Sequence, residues 1–126
     1  MAMSRLLEAP TWVKVREGAG ALAADPAVLS DANYPPADAI DPGGRPQQIS
    51  VYWTGTGAAR VDTVDLQVLI RDGIGGRWVE GQTAHGCPPG RVMVFDVHRA
   101  SMIYLRVRSV NLANAVTDLE VYAVKQ

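Results

Sequence analysis

The sequence predicts an all-β protein: an antiparallel β-sandwich, jelly-roll-like, of seven to eight short strands with an irregular N-terminal arm. Three observations predict it. Apolar and polar residues alternate with period two in one stretch after another, as half-buried strands require. The stretches recur roughly every 8–12 residues between Gly, Pro and Asn, the spacing of sandwiches and barrels. After the middle of the chain no helical pattern is long enough to carry a parallel crossover.

Taken in order, "TWVKVRE" is a short strand near the start. From Gly18 to Arg45 the character changes: four prolines precede Pro46, alanines are frequent and no period is sustained. Within it, "ALAADPAVL" offers a turn or two of helix that Pro26 interrupts, and Ala37 to Ile40 offers one short strand. A long irregular stretch attached to a small domain usually has a task of its own or is an arm. Residues 1–45 are therefore expected to form an N-terminal arm with one short strand and a Pro/Ala-rich loop, and residues 46–126 the sandwich core.

The core strands follow. "QQISVYWTGTG" sets Ile49, Val51 and Trp53 on one face and is closed by Gly55 and Gly57. "VDTVDLQVLIRD" sets Val64, Leu66, Val68 and Ile70 against Asp65, Gln67 and Leu69. "GRWVEG" and "RVMVFDV" are shorter strands; "SMIYLRVRSV" places Ile103, Leu105 and Val107 inward, and "TDLEVYAVKQ" does the same with Leu119, Val121 and Ala123. β-branched and aromatic residues concentrate in these runs, as pleated surfaces favour.

Bulk properties exclude several classes. A chain of 126 residues, 48% hydrophobic and 20% charged, is one globular domain. A net charge of −1 makes no electrostatic approach to nucleic acid or to an anionic membrane. No apolar run approaches the ~20 residues of a membrane helix, and the N-terminus lacks the apolar h-region of a signal peptide. Cys87 is the sole cysteine, so no disulfide forms within the chain. Synthesis in a cytoplasm is the expectation.

No motif carries chemistry. The glycines of "VLIRDGIGGRWVEG" could cradle a phosphate only if a Lys, a Ser/Thr and a helix followed. Arg77, Trp78 and another strand pattern follow instead, so Asp72-Gly73 and Gly75-Gly76 read as a hairpin turn. None of the five serines stands in a G-x-S-x-G elbow. Asp96 and His98 share a strand face and could hydrogen-bond, but the ordinary reading is a polar strand end. His85 and Cys87 supply too few ligands for structural zinc. Asp38, Asp41, Asp62 and Asp65 could offer oxygens to calcium, yet lack any calcium-loop spacing. No catalytic residue, cofactor or metal site is expected.

Partner-binding residues are easier to nominate. Trp12, Tyr52, Trp53 and Trp78 could form a sugar-stacking platform, but with one Phe in the chain tryptophans are needed in the core. One of the three is expected to be substantially exposed. The outward row Met102, Tyr104, Arg106 and Arg108 contains residue types enriched at protein interfaces; it is either a partner surface or a solvated sheet face. Trp12 and Tyr34 are the candidate contacts of the arm.

The run "DLQVLIRDGIGGRWVEG…GRVMVFDV…ASMIYLRVRSVNLANAVTDLEVYAVKQ", about residues 48 to 126, resembles the small all-β virion proteins of tailed bacteriophages. That resemblance implies a non-enzymatic structural component of a virion. Its role would be capsid decoration or stabilisation, or else tail or fibre attachment, in many copies or as a homo-oligomer. Its partners would be the major capsid protein or tail and fibre proteins, with an arm over residues 4 to 45 lying across them. The same strings more distantly resemble discoidin-like, galactose-binding sandwiches, which would imply a surface glycan as ligand. Pro42 interrupts the loop echo "ADAIDPGG" and the paired cysteines of that family are absent.

Overall fold

The computed structural model describes residues 5–7 and 11–125, with Arg5 as backbone only. Positions 1–4 and 8–10 of the expected arm, and 126 of the expected core, lie outside the described residues. The strands are β1 (Arg5–Leu6), β2 (Val13–Ala21), β3 (Ile40–Asp41), β4 (Gln48–Thr56), β5 (Thr63–Arg71), β6 (Trp78–Cys87), β7 (Met93–Asp96), β8 (Ile103–Asn111) and β9 (Thr117–Lys125). They form two sheets packed as a sandwich, ordered β1-β3-β8-β5-β6 and β2-β9-β4-β7.

The pairing explains the order. β2 pairs with β9, β3 with β8, β4 with β7 and β5 with β6, every pair antiparallel. The chain is thus one long hairpin, out through β5 and back from β6, rolled so that β4 meets β9 and β5 meets β8. That is the jelly roll. Only β1, pairing parallel with β3, adds to it.

The apex of the long hairpin is the glycine-rich turn. Asp72 N–H donates to the Arg77 carbonyl (2.7 Å), Gly76 N–H to the Asp72 carbonyl (2.8 Å) and Ile74 N–H to the Asp72 carboxylate (2.9 Å). Of the glycines in this turn only Gly76, at φ +65°, is left-handed.

Period-two patterning delivers the core. Ile49, Val51 and Trp53 of β4 and Val121 and Ala123 of β9 are fully buried against Leu66 and Val68 of β5 and Ile103, Leu105 and Val107 of β8. Each such side chain contributes roughly 1.5–3 kcal/mol on leaving water. Trp53 enters without an orphaned donor, because its Nε1–H meets the Cys87 carbonyl at 2.9 Å. Among the described residues no buried side-chain nitrogen or oxygen lacks a partner.

The N-terminal third departs from the expected arm. β2 is a full sheet strand, and Leu7, Val15, Leu22 and Ile40 enter the main core. Residues 22–39, hereafter the strap, pass along the β8 edge, where Asp25 N–H donates to the Val107 carbonyl, and then cross the outer face of the five-stranded sheet. There Tyr34 and Ala39 pack with Leu69 and Trp78 in a second apolar cluster. The stretch "ALAADPAVL" forms no helix: its first residue, Ala21, is the last of β2, and Pro26 stands within it. Positions 37–40 form no continuous strand: a 3₁₀ turn spans Pro36–Asp38 and β3 begins at Ile40. The accessible surface, 6612 Å² for 13.5 kDa, is close to the roughly 6,500 Å² of a closed monomer.

Candidate functional site

The sandwich has two outer faces, and the chain treats them differently. On the five-stranded sheet, strand alternation turns Met102, Tyr104 and Arg106 outward, but the strap meets them. Tyr34 packs edge-on to Tyr104 (centroids 5.2 Å) and to Trp78 (6.4 Å). Trp78 Nε1–H donates to the Tyr34 carbonyl (2.8 Å), and the Tyr34 hydroxyl to the Pro26 carbonyl (2.5 Å). Arg106 is buried, donating to Gln67 (2.8 Å), Glu80 (3.0 Å) and the Pro26 carbonyl (3.4 Å). Burial pushes the Tyr104 phenol above its ordinary pKa.

Of the expected partner contacts on this face, Tyr34 and Arg106 are therefore corrected to interior residues, and Met102 and Tyr104 are half-buried beneath the strap. Only Arg108 is exposed, its Nη1 3.8 Å from Glu80. It sits where the β5–β8 register shifts, after Asp65 pairs with Ser109 and before Leu66 pairs with Val107.

The four-stranded sheet has no such cover among the described residues. β4 and β9 run in register with Tyr52 opposite Tyr122, and β2 sets Lys14 opposite Tyr122. The two tyrosine rings stack with centroids 5.0 Å apart and planes at 17°, and Trp12 stands edge-on to Tyr52 at 4.9 Å. Trp12 is 39% exposed whereas Trp53 and Trp78 are buried, so one tryptophan of three is offered to solvent. On β7, Val94 lies opposite Ser50 and is 44% exposed, and neighbouring Val92 is 53% exposed. A charged rim follows: Lys14 Nζ bridges Glu17 (3.0 Å) and Glu120 (3.3 Å), and the Tyr122 hydroxyl donates to Glu120 (3.2 Å). Those bonds, to Glu17 first, hold the Lys14 ammonium above its usual pKa.

Of the residues expected to meet a partner or a sugar, Trp12 and Tyr52 stand on this face. Tyr122 was not nominated, although the alternation Leu119-Glu120-Val121-Tyr122-Ala123 already turns it outward beside Tyr52.

The polar constellations resolve into structure. Asp65 accepts from Gly86 N–H (2.8 Å) and Ser109 Oγ–H (2.8 Å), with His85 Nδ1 at 3.2 Å. A Ser–His–Asp relay needs the imidazole between the other two; here the carboxylate is between them, and the Ser109 hydroxyl has no base. The Gly86 bond, with Ser109 and His85, keeps the Asp65 carboxyl below its usual range. Asp96 is held by Gln48 (2.8 Å), while His98 is exposed in a turn at φ +52°.

Asp62 is buried and joins two loops. It accepts from Asn114 Nδ2 (2.8 Å) and from the backbone N–H groups of Ala59 (2.8 Å), Ala113 (2.7 Å) and Asn114 (2.9 Å). The Asn114 side chain, then the backbone donors, lower its pKa to about 2. Asp41 accepts from Gly43 N–H, and Asp38 is exposed on the 3₁₀ turn. Among the described residues no group of three or more His, Cys, Asp or Glu is disposed to hold a metal ion. Burial raises the Cys87 thiol pKa and leaves that residue in the core.

What the arrangement offers chemically is a partly exposed aromatic and aliphatic surface with a charged margin. Comparison of the chain with protein-family models, with curated proteins and with solved structures finds no match.

Proposed function

We propose that this chain is a non-enzymatic structural component of a tailed-phage virion. In this reading it decorates or stabilises the capsid and docks through the outer face of the four-stranded sheet. One observation carries the docking surface: Trp12, Tyr52 and Tyr122 form a contiguous, partly exposed row on the sheet the strap leaves uncovered. Aromatic residues with a rim of charge are what protein interfaces enrich, because large amphipathic side chains bury area at low entropic cost. The jelly-roll order supports a capsid setting by analogy only, since that fold serves capsid and lectin domains alike. Tail or fibre attachment would use the same face.

A glycan-binding role is the weaker reading. Sugars stack on open ring faces, and Tyr52 and Tyr122 turn theirs toward each other.

The test is to purify particles carrying the gene, quantify the chain by mass spectrometry, and measure co-sedimentation of added protein. Wild type is expected to be present in many copies and to bind. A Trp12→Ser/Tyr52→Ser/Tyr122→Ser variant, folded by circular dichroism, is expected to lose binding at least tenfold. A chain missing from the particle, or a variant that binds as well as wild type, refutes the proposal.

A further inference from the structure

The strap and β2 meet the rest of the protein almost as a separate chain would. β2 pairs only with β9. Leu22 N–H reaches the Val116 carbonyl, Asp25 N–H donates to the Val107 carbonyl, and the Asp25 carboxylate accepts the Val107 N–H. Arg71 clamps Asp31 through both terminal guanidinium nitrogens, and Lys14 meets Glu120. Every one of these partners lies beyond residue 47.

A single short linker, Pro42-Gly43-Gly44-Arg45-Pro46, joins the two parts, and it is strained. Three residues in succession are left-handed, at φ +65°, +66° and +48°. The third is Arg45, a non-glycine residue that also precedes a proline. Left-handed backbone is costly for a side-chain-bearing residue, and a following proline favours the extended region instead. Between two prolines, the low-strain form of this linker is extended rather than folded back.

We infer that the N-terminal segment, residues 5–41, is exchanged between two copies of this chain. In the exchanged dimer each copy's β2, strap and β3 occupy the other's β9, outer face and β8. Each of these contacts is kept, and only the linker changes, from folded back to extended, which releases the strain at Arg45. Element exchange of this kind is a low-cost route to a dimer, and strained short hinges invite it. The exchange leaves the docking face proposed above in place, with Trp12 of one copy standing beside Tyr52 of the other.

The test refolds isotopically light and heavy wild-type chains together at high and at low concentration. Lys14 is then joined to Glu120 by a zero-length carbodiimide, a bond their 3.3 Å separation allows. The result expected is a dimer by light scattering at high concentration, with Lys14–Glu120 peptides of mixed label in the dimer and of single label in the monomer. Arg45→Gly, which makes the folded-back linker comfortable, is expected to weaken the dimer about tenfold. Monomer alone at both concentrations, or dimers holding only single-label peptides, overturns the inference. Loss of particle binding by the aromatic-face variant would not touch it.

Discussion

Asp25 grips Arg16 with both carboxylate oxygens, each 2.6 Å from a terminal guanidinium nitrogen, and one of those oxygens also accepts the Val107 N–H at 2.6 Å. Arg16 in turn donates to the Leu105 carbonyl (3.1 Å) and lies over the Tyr104 ring at 5.3 Å. The pair therefore completes the edge of β8 beyond the point where the two-residue β3 stops pairing. An open strand edge invites association with another chain; here an ion pair closes it.

Both side chains of that pair are about 15% exposed, so removing one partner strands a desolvated charge. Asp25→Ala is expected to cost about 3–5 kcal/mol in urea unfolding. Adding Arg16→Met should recover part of the loss, because the stranded charge goes while the Val107 N–H stays unpaired. Equal stability of Asp25→Ala and wild type would show that the pair does not close the edge.

Tyr34 is the apolar anchor of the strap and is 1% exposed. Tyr34→Phe loses only the bond to the Pro26 carbonyl, about 1 kcal/mol. Tyr34→Ala leaves a cavity between Trp78 and Tyr104 and is expected to cost about 3–5 kcal/mol. Trp78 reports the event, since its indole N–H bonds the Tyr34 carbonyl. Its fluorescence should shift red and the strap should become protease-sensitive in Tyr34→Ala, whereas wild type resists cleavage over residues 22–39.

Asp62 sets an acid limit. Its folded pKa of about 2 lies below the ordinary 3.8 of an aspartate, so the folded state binds the proton more weakly than the unfolded one. The stabilisation is complete above about pH 4 and is lost as pH falls from there toward 2. Urea midpoints measured across that window should fall for wild type. Asp62→Asn should start lower and fall less steeply. Parallel pH profiles for the two proteins would contradict this assignment.

Much of this was legible in the sequence. Period-two alternation located β4, β5, β8 and β9 and chose their inward faces, because each has one face on the core. The same pattern turned Tyr104 and Arg106 outward, which is correct, but it could not say what covers them. That depends on Asp25 reaching Val107 across 82 positions, from a Pro/Ala-rich strap with no period. For a related reason the sequence marks only the first part of β6. It is an edge strand, partly exposed along "EGQTAHG", so no apolar alternation marks its second half. The aromatic face was half legible: Tyr52 and Tyr122 share a parity, but their stacking follows from the β4–β9 register, which one chain of letters does not show.

The most direct measurement is hydroxyl-radical footprinting of the chain free and within the assembled particle. Because the strap already occupies one sheet and leaves the other open, oxidation of Trp12, Tyr52 and Tyr122 should fall on assembly, while Met102 and Tyr104 stay unchanged. Protection of Met102 and Tyr104 with Trp12, Tyr52 and Tyr122 still reactive would contradict the account.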